Sequence, residues 1–239
     1  MSLQTQFADP NNDIHQVLCK TKPRLLDLFC GRWGWSRAFA ARGWECVGVD
    51  LVEPPEIPDG FKFCQLDVLT LSKYDVCHHL EPDFICASSP CEQFSVHGMK
   101  HFHPNPKYPE LGIKLFNHTR ELCEASGVPY VMENVRAAQQ FVGNAVHHCG
   151  PFYLWGSGVP ALMNQGISKG ISTGNSELMK SMTREEKREY RKNFPWASSS
   201  SGSALRKSQT AAAATIPPEL ANCVADYAER LLEQRAVTK

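Results

Sequence analysis

The stretch RLLDLFCGRWGWSRAFAARGWECVGVD, residues 24 to 50, constrains the fold of this chain more than any other. RLLDLF (24 to 29) has the short apolar character of a strand, and a glycine-punctuated turn follows it. WSRAFAARG (35 to 43) reads as a helix closed by Gly43, and ECVGVD (45 to 50) as a second strand. A strand, a helix and a strand in so short a span form a parallel βαβ unit, because parallel neighbours need a crossover rather than a tight turn. The alternation continues with strands at FKFCQLD (61 to 67), DFICAS (83 to 88) and PYVMEN (129 to 134), and a long helix over 109 to 127 ending near Gly127. The expected fold is therefore α/β, with a doubly wound, mostly parallel sheet.

After residue 150 the pattern changes. FYLWGSGVPALMNQG (152 to 166) has room for one or two short strands, TREEKREYRKN (183 to 193) reads as a charged helix, and ASSSSGSALRKSQT (197 to 210) as a serine-rich loop. Regular structure resumes over 217 to 234, where Leu220, Val224, Tyr227 and Leu231 share one face of an amphipathic helix that begins at a proline. There are no internal repeats.

Charge narrows the choice of partners only a little. Lys plus Arg and Asp plus Glu number 25 each in the 239 residues, so any basic surface for nucleic acid must come from local segregation of charge. The N-terminus MSLQTQFADPNND lacks a basic-then-apolar signal pattern, and no apolar run approaches the ~18 residues of a membrane span. A soluble, cytoplasmic chain with no membrane partner is expected. The ten cysteines are scattered without a CxxC pair, which argues for reduced thiols and against a zinc site. His147 and His148 precede Cys149, but neighbours in a strand face opposite ways, so no metal is expected there either.

Three places carry chemistry. The turn after the first strand holds Gly31 and Gly34, where backbone amides can approach a cofactor, and Asp50 ends the next strand about twenty residues on, where a carboxylate can hold a ribose. Cys91 follows Pro90 at the exit of an apolar strand, in the loop position that faces the ligand crevice of such sheets. Amides at the start of a following helix would favour its thiolate. Glu133 and Asn134 end the fifth strand, although a buried strand gains nothing hydrophobic from ending in Glu-Asn. All three belong to the same carboxyl edge of the proposed sheet.

With these residues in place, LLDLFCGRWGWSRAFAARGWECVGVD, SPCEQFS, ENV and AAAATIPPELA, in this order, resemble the cytosine-5 DNA methyltransferases, especially the short forms seen in phages and prophages. The resemblance covers residues 24 to about 160 and 204 to 234. It implies S-adenosylmethionine as cofactor, held by Phe29, Gly31, Gly34, Asp50, Leu51, Asp67, Thr215 and Ile216, with Pro217 beside them and the last helix docked against the first strand. It implies DNA as partner and a bacterial or phage-infected cell as setting. Cys91 would be the nucleophile in a loop fixed by Pro90, Glu133 would engage ring nitrogen 3 of a flipped cytosine, and Asn134 would orient the Cys91 loop. Ser95, Lys100, His101, Lys107 and Arg136 would meet nucleic acid, together with Arg184, Lys187, Arg188, Arg191 and Lys192 of the charged helix. The chain departs from the family at Trp33, commonly a glycine, which would narrow the methionine end of the pocket. It departs again at Glu92, commonly a glutamine, and the family's arginine-rich element has no match beyond Arg136.

The implied division is an N-terminal extension (1–22), a catalytic and cofactor-binding core (23–160), a small target-recognition insertion (161–203) and a C-terminal segment (204–239) that completes the catalytic domain. A monomer is expected, with a partner subunit left open. Two rivals stay open on the sequence alone: methylation of cytosine in RNA or in a free nucleotide, and a cofactor- or DNA-binding module of the same fold without turnover.

Overall fold

A computed structural model describes residues 22–95, 109–161, 183–186, 189 and 215–237. Seven strands form one sheet in the order β3-β2-β1-β4-β5-β7-β6. The parallel members are β1 (Arg24–Leu28), β2 (Glu45–Asp50), β3 (Lys62–Gln65), β4 (Phe84–Ser88) and β5 (Tyr130–Asn134). β6 (His147–Cys149) and β7 (Phe152–Trp155) form an antiparallel hairpin, and β7 pairs antiparallel with β5. The chain winds outward from β1 to β3, then crosses back to β4 on the other side of β1. That reversal opens a crevice at the carboxyl ends of β1 and β4, where folds of this kind take their ligands.

Each face of the sheet has its own core, because alternate residues of each strand point to opposite sides. On one face Leu26, Val49, Ile85 and Met132 pack with Phe116 and Leu122 of α2 (Glu110–Ser126) and with Val76 of a π-helical stretch, Asp75–Leu80. On the other, Leu25, Phe84, Val131 and Leu154 pack with Phe39 of α1 (Ser36–Ala40) and with a final helix over Pro218–Val237. The short helical turns Arg136–Ala138 and α3 (Gln139–Val142) follow β5, so that final helix is α4. α4 buries Leu220, Ala221, Val224, Ala225 and Ala228 completely, at the spacing of a single helical stripe. A fully buried aliphatic side chain contributes about 1.5–3 kcal/mol, so this stripe fastens the helix more firmly than its surface pairs do. Those pairs radiate from Arg42, which reaches Asp226 at 2.5 Å and Asn222 at 2.8 Å. α4 thus packs on α1 as well as on the face of β1 that carries Leu25.

The opposite, amino-terminal edge is tied by Arg24, whose guanidinium is buried. It donates to Glu45 Oε2 at 2.8 Å and to the Leu80 carbonyl at 2.7 Å, and Lys62 pairs with the same Glu45. One side chain therefore joins β1, β2 and the end of the π-helical stretch.

The sequence reading placed β1, β2, β4, β5 and α2 within a residue or so of their observed limits. Gly127 ends α2 at φ +67°, a backbone that suits glycine. The π-helical stretch has no counterpart in the sequence reading, which treats His147 and His148 as strand neighbours without giving that strand a place in the sheet. Of the charged helix, Thr183 and Glu186 close a reciprocal cap, Thr183 N–H to Glu186 Oε2 at 2.6 Å and Glu186 N–H to Thr183 Oγ1 at 3.2 Å. Arg184 is exposed beside it. Lys187, Arg188, Arg191, Lys192 and the serine-rich stretch lie outside the described residues, as do Lys100, His101 and Lys107. Among the described residues no helix is long and apolar enough to cross a membrane.

Candidate active site at the carboxyl edge

The turn after β1 is held down over the end of β2. Phe29 N–H and Cys30 N–H both donate to the Val49 carbonyl, at 2.8 and 3.2 Å, and Gly31 N–H donates to Asp50 Oδ2 at 3.0 Å. Asp50 Oδ1 accepts from Val52 N–H at 3.1 Å. Each carboxylate oxygen thus takes one backbone donor and retains a lone pair for another. Leu51 and Val52, the next two residues, are 63% and 68% exposed, an apolar surface at the mouth of the crevice. Across it, Asp67 Oδ1 caps the turn Val68–Thr70 through Leu69 N–H at 3.0 Å, and its second oxygen is not used by that cap.

Three residues of this short turn lie in the left-handed region: Phe29 (φ +61°), Gly31 (+46°) and Trp33 (+62°). Only glycine enters that region without cost, and a side chain there loses about 1–2 kcal/mol. Strain of this kind persists where the surroundings fix it, and two of the three described non-glycine residues that carry it, Phe29 and Trp33, lie in this turn, the third being Glu81 at the other edge.

Trp33 corrects the sequence reading. Its indole is not at the methionine end of the crevice but is 1% exposed beneath β2, edge-on to Phe61 and Phe63, with Nε1 donating to the Glu56 carbonyl at 2.9 Å. Gly48 makes the space: a Cβ there would meet the Trp33 ring at 2.2 Å. Glycine would suit the positive φ at this position, and the tryptophan offsets its strain by burial.

Gly34 has a different reason. A Cβ on it would lie 3.0 Å from both Cβ and N of Ile216, so the absence of a side chain lets the segment before α4 close on the turn. Ile216 is 5% exposed and Pro217 is buried, with Thr215 half-buried beside them. A segment about 180 residues away in sequence thereby completes one wall.

Asp27, two residues before Phe29, was not singled out by the sequence. It is 1% exposed, and its Oδ2 accepts from Ser36 Oγ at 2.6 Å, joining β1 to the start of α1. Oδ1 is buried with no hydrogen-bond partner among the described residues. Burial pushes this carboxyl up to about 7, against the opposing hydrogen bonds from Ser36.

Cys91 lies in the loop that leaves β4, and Glu133 near the end of the neighbouring β5. Ser88, the last residue of β4, is in register with Glu133 of β5. Ser89, Pro90 and Cys91 follow, and a turn over 92–94 takes the place of the helix start expected after Cys91. The Cys91 carbonyl accepts from Phe94 N–H at 3.1 Å and from Ser95 N–H and Oγ, both at 3.0 Å. Ser95, expected to face nucleic acid, thus gives its hydroxyl proton to the turn. Phe94 is fully buried and Gln93 Oε1 accepts from Gly112 N–H at 2.8 Å, anchoring the exit of the loop to the start of α2. Asn134 is fully buried; its Nδ2 donates to the Ser89 carbonyl and Oγ at 3.0 and 3.1 Å, so this side chain does hold the loop that carries Cys91. Arg136 is exposed two residues beyond, and Glu92 is exposed on the turn.

The neighbouring thiols are of another kind. Cys30, Cys46 and Cys86 are buried, and burial pushes all three up, Cys46 to about 12. They stay protonated and unreactive at neutral pH, whereas Cys91 is half-buried at the crevice. On the outer hairpin His148 stacks on Tyr153 with ring centroids 5.0 Å apart.

The reversal at β1/β4, the five parallel strands and the antiparallel β7 beside β5 make this a doubly wound, Rossmann-like α/β fold. No protein-family model matches the chain. The chain is 30% identical over 95 residues to the Type II methyltransferase M.AplI of Arthrospira platensis, covering 38% of this chain and 26% of that protein. It therefore spans about a quarter of the length of that curated relative. Among solved structures it is similar to a DNMT2 mutant of Spodoptera frugiperda (20% identity, 49% of this chain and 37% of that one, TM-score 0.32). It is also similar to the antibiotic-resistance methyltransferase Kmr (14% identity, 74% and 80%, TM-score 0.32).

Proposed function

We propose that this chain is an S-adenosylmethionine-dependent methyltransferase that acts on carbon 5 of cytosine in DNA through a covalent adduct with Cys91. One observation carries the reading: the strained glycine turn on β1, Pro90-Cys91 after β4 and Glu133-Asn134 at the end of β5 lie on three adjacent strands at one sheet edge. The similarity to M.AplI supports the methyl-transfer part of it.

The residues present fit the cofactor. Asp50, with an unused lone pair on each oxygen, would accept from the ribose hydroxyls. Leu51 and Val52 would cover the base, Asp67 would accept from its amine, and the turn 29–34 with Ile216 would enclose the methionine end. When bound, the cofactor supplies an electrophilic methyl group.

Cytosine carbon 5 is a poor nucleophile, and the protein's task is to make it a better one. The Cys91 thiolate adds to carbon 6, and Glu133 gives a hydrogen bond or proton to ring nitrogen 3, which stores the displaced electrons on carbon 5. After carbon 5 has taken the methyl group, loss of its proton to a base re-forms the double bond and expels the Cys91 thiolate. Addition to a ring face requires the base to leave the duplex stack. Asn134 keeps the Cys91 loop in place throughout.

The test is incubation with tritiated S-adenosylmethionine and, separately, duplex DNA, transfer RNA and dCMP, followed by mapping of the labelled base. Label in 5-methylcytosine of DNA is expected. Label confined to RNA or dCMP contradicts the substrate, and cofactor binding without any transfer contradicts the reaction.

A further inference from the structure

The two residues that lead into Pro90-Cys91 are gripped from opposite faces of the sheet. On one face Trp35 Nε1 donates to Ser88 Oγ at 3.0 Å; on the other Asn134 donates to Ser89. Trp35 closes the glycine turn, is 2% exposed, and has its ring fixed in the core with Leu25, Phe39 and Val131. Its donor is therefore a rigid strut, since an indole packed on this many sides has no other rotamer to adopt. Ser88 is in register with Glu133, so a displacement of Ser88 moves the loop of the thiol and the neighbour of the carboxylate together. The residue that ends the cofactor turn is thus joined directly, across 53 residues of sequence, to the strand end that presents the nucleophile. A phenylalanine would fill nearly the same space without supplying the donor.

We propose that Trp35 is a positioning residue whose hydrogen bond to Ser88 transmits the placement of the glycine turn to the Cys91 loop. The role rests on the reading of this edge as a methyl-transfer site. Misplacement of a reacting group by about 1 Å costs on the order of a hundredfold in rate. Ser88→Ala and Trp35→Phe should each slow single-turnover methyl transfer about tenfold to a hundredfold, with cofactor affinity within about threefold of wild type. Ser88→Thr, which restores the acceptor, should recover most of the rate. The double variant should be no slower than the slower single variant, because both remove the same bond.

Hydrogen exchange of the peptide spanning 88–95 reads the same strut without activity. Exchange about tenfold faster in Ser88→Ala and Trp35→Phe, but not in Ser88→Thr, is expected, with the central strands unchanged. Ser88→Ala is the decisive variant should Trp35→Phe not fold. Unchanged exchange in folded Ser88→Ala overturns the proposal, and so does faster exchange with an unchanged transfer rate. A wild-type protein that transfers no methyl group contradicts the functional reading alone, and the exchange data then decide the strut.

Discussion

Asp27 offers a measurement in which the structure sets both sign and size. A carboxyl buried in the middle of β1 rises from its ordinary 3.8 to about 7, chiefly through desolvation, with Ser36 opposing and Asp50 adding to the rise. The folded protein therefore keeps a proton that the unfolded chain releases. Its stability is highest on the acid side of this window and falls as pH rises from about 4 to about 7, where the loss levels off. At about 1.4 kcal/mol per pKa unit, the whole effect is about 4 kcal/mol, of which about 2–3 kcal/mol falls between pH 5 and pH 8. Asp27→Asn keeps an acceptor for Ser36 Oγ and removes the titration. Urea unfolding of both proteins at several pH values isolates the group, because the histidines titrate equally in each. The wild-type stability should fall relative to Asp27→Asn by about 2–3 kcal/mol over that range. Two curves that run parallel with pH would refute the buried neutral acid.

Other expectations follow from single contacts. Asp50→Ala should weaken S-adenosylmethionine binding by about 1.5–3 kcal/mol in calorimetry, the value of lost hydrogen bonds to a charged group, while unchanged affinity in a folded variant removes Asp50 from the site. Gly34→Ala places a Cβ 3.0 Å from Ile216 and should cost about 1–3 kcal/mol in urea unfolding; an unchanged midpoint would mean that the segment before α4 gives way freely. The stretch between Asn134 and Thr215 supplies β6 and β7, which limits the room in it for a reader of DNA, and each bidentate base contact gives about 1–3 kcal/mol of discrimination. A short or degenerate target of about two to four base pairs is expected from bisulfite sequencing of DNA methylated in cells, and an undegenerate site of six or more would contradict it.

The part of the site legible in the sequence was the part written in strand ends. Strands buried on both faces read as short apolar runs, so the carboxylates Asp50 and Glu133 marked the carboxyl edge directly, with Cys91 three residues past the end of β4. The resemblance put both Gly34 and Ile216 beside the cofactor, and the structure sets them against each other. The place of β6 in the sheet was not legible because three residues, two of them histidine, carry no periodic pattern on an edge. The direction of Trp33 was misjudged because a positive φ at a non-glycine residue leaves no trace in composition. Asp27 and the Trp35–Ser88 strut depend on which side of the sheet α1 packs, and that is decided by tertiary structure rather than by spacing.

The central claim is that Cys91, among ten cysteines, attacks cytosine. An oligonucleotide carrying 5-fluorocytosine tests it most directly, because fluorine at carbon 5 cannot leave as a proton does and the enzyme stays bonded to the base after methyl transfer. With S-adenosylmethionine present, the account predicts an adduct that survives denaturation, maps to the peptide containing Cys91, and is absent from the Cys91→Ser protein. An adduct on another cysteine, or persistence of the adduct in Cys91→Ser, would contradict it.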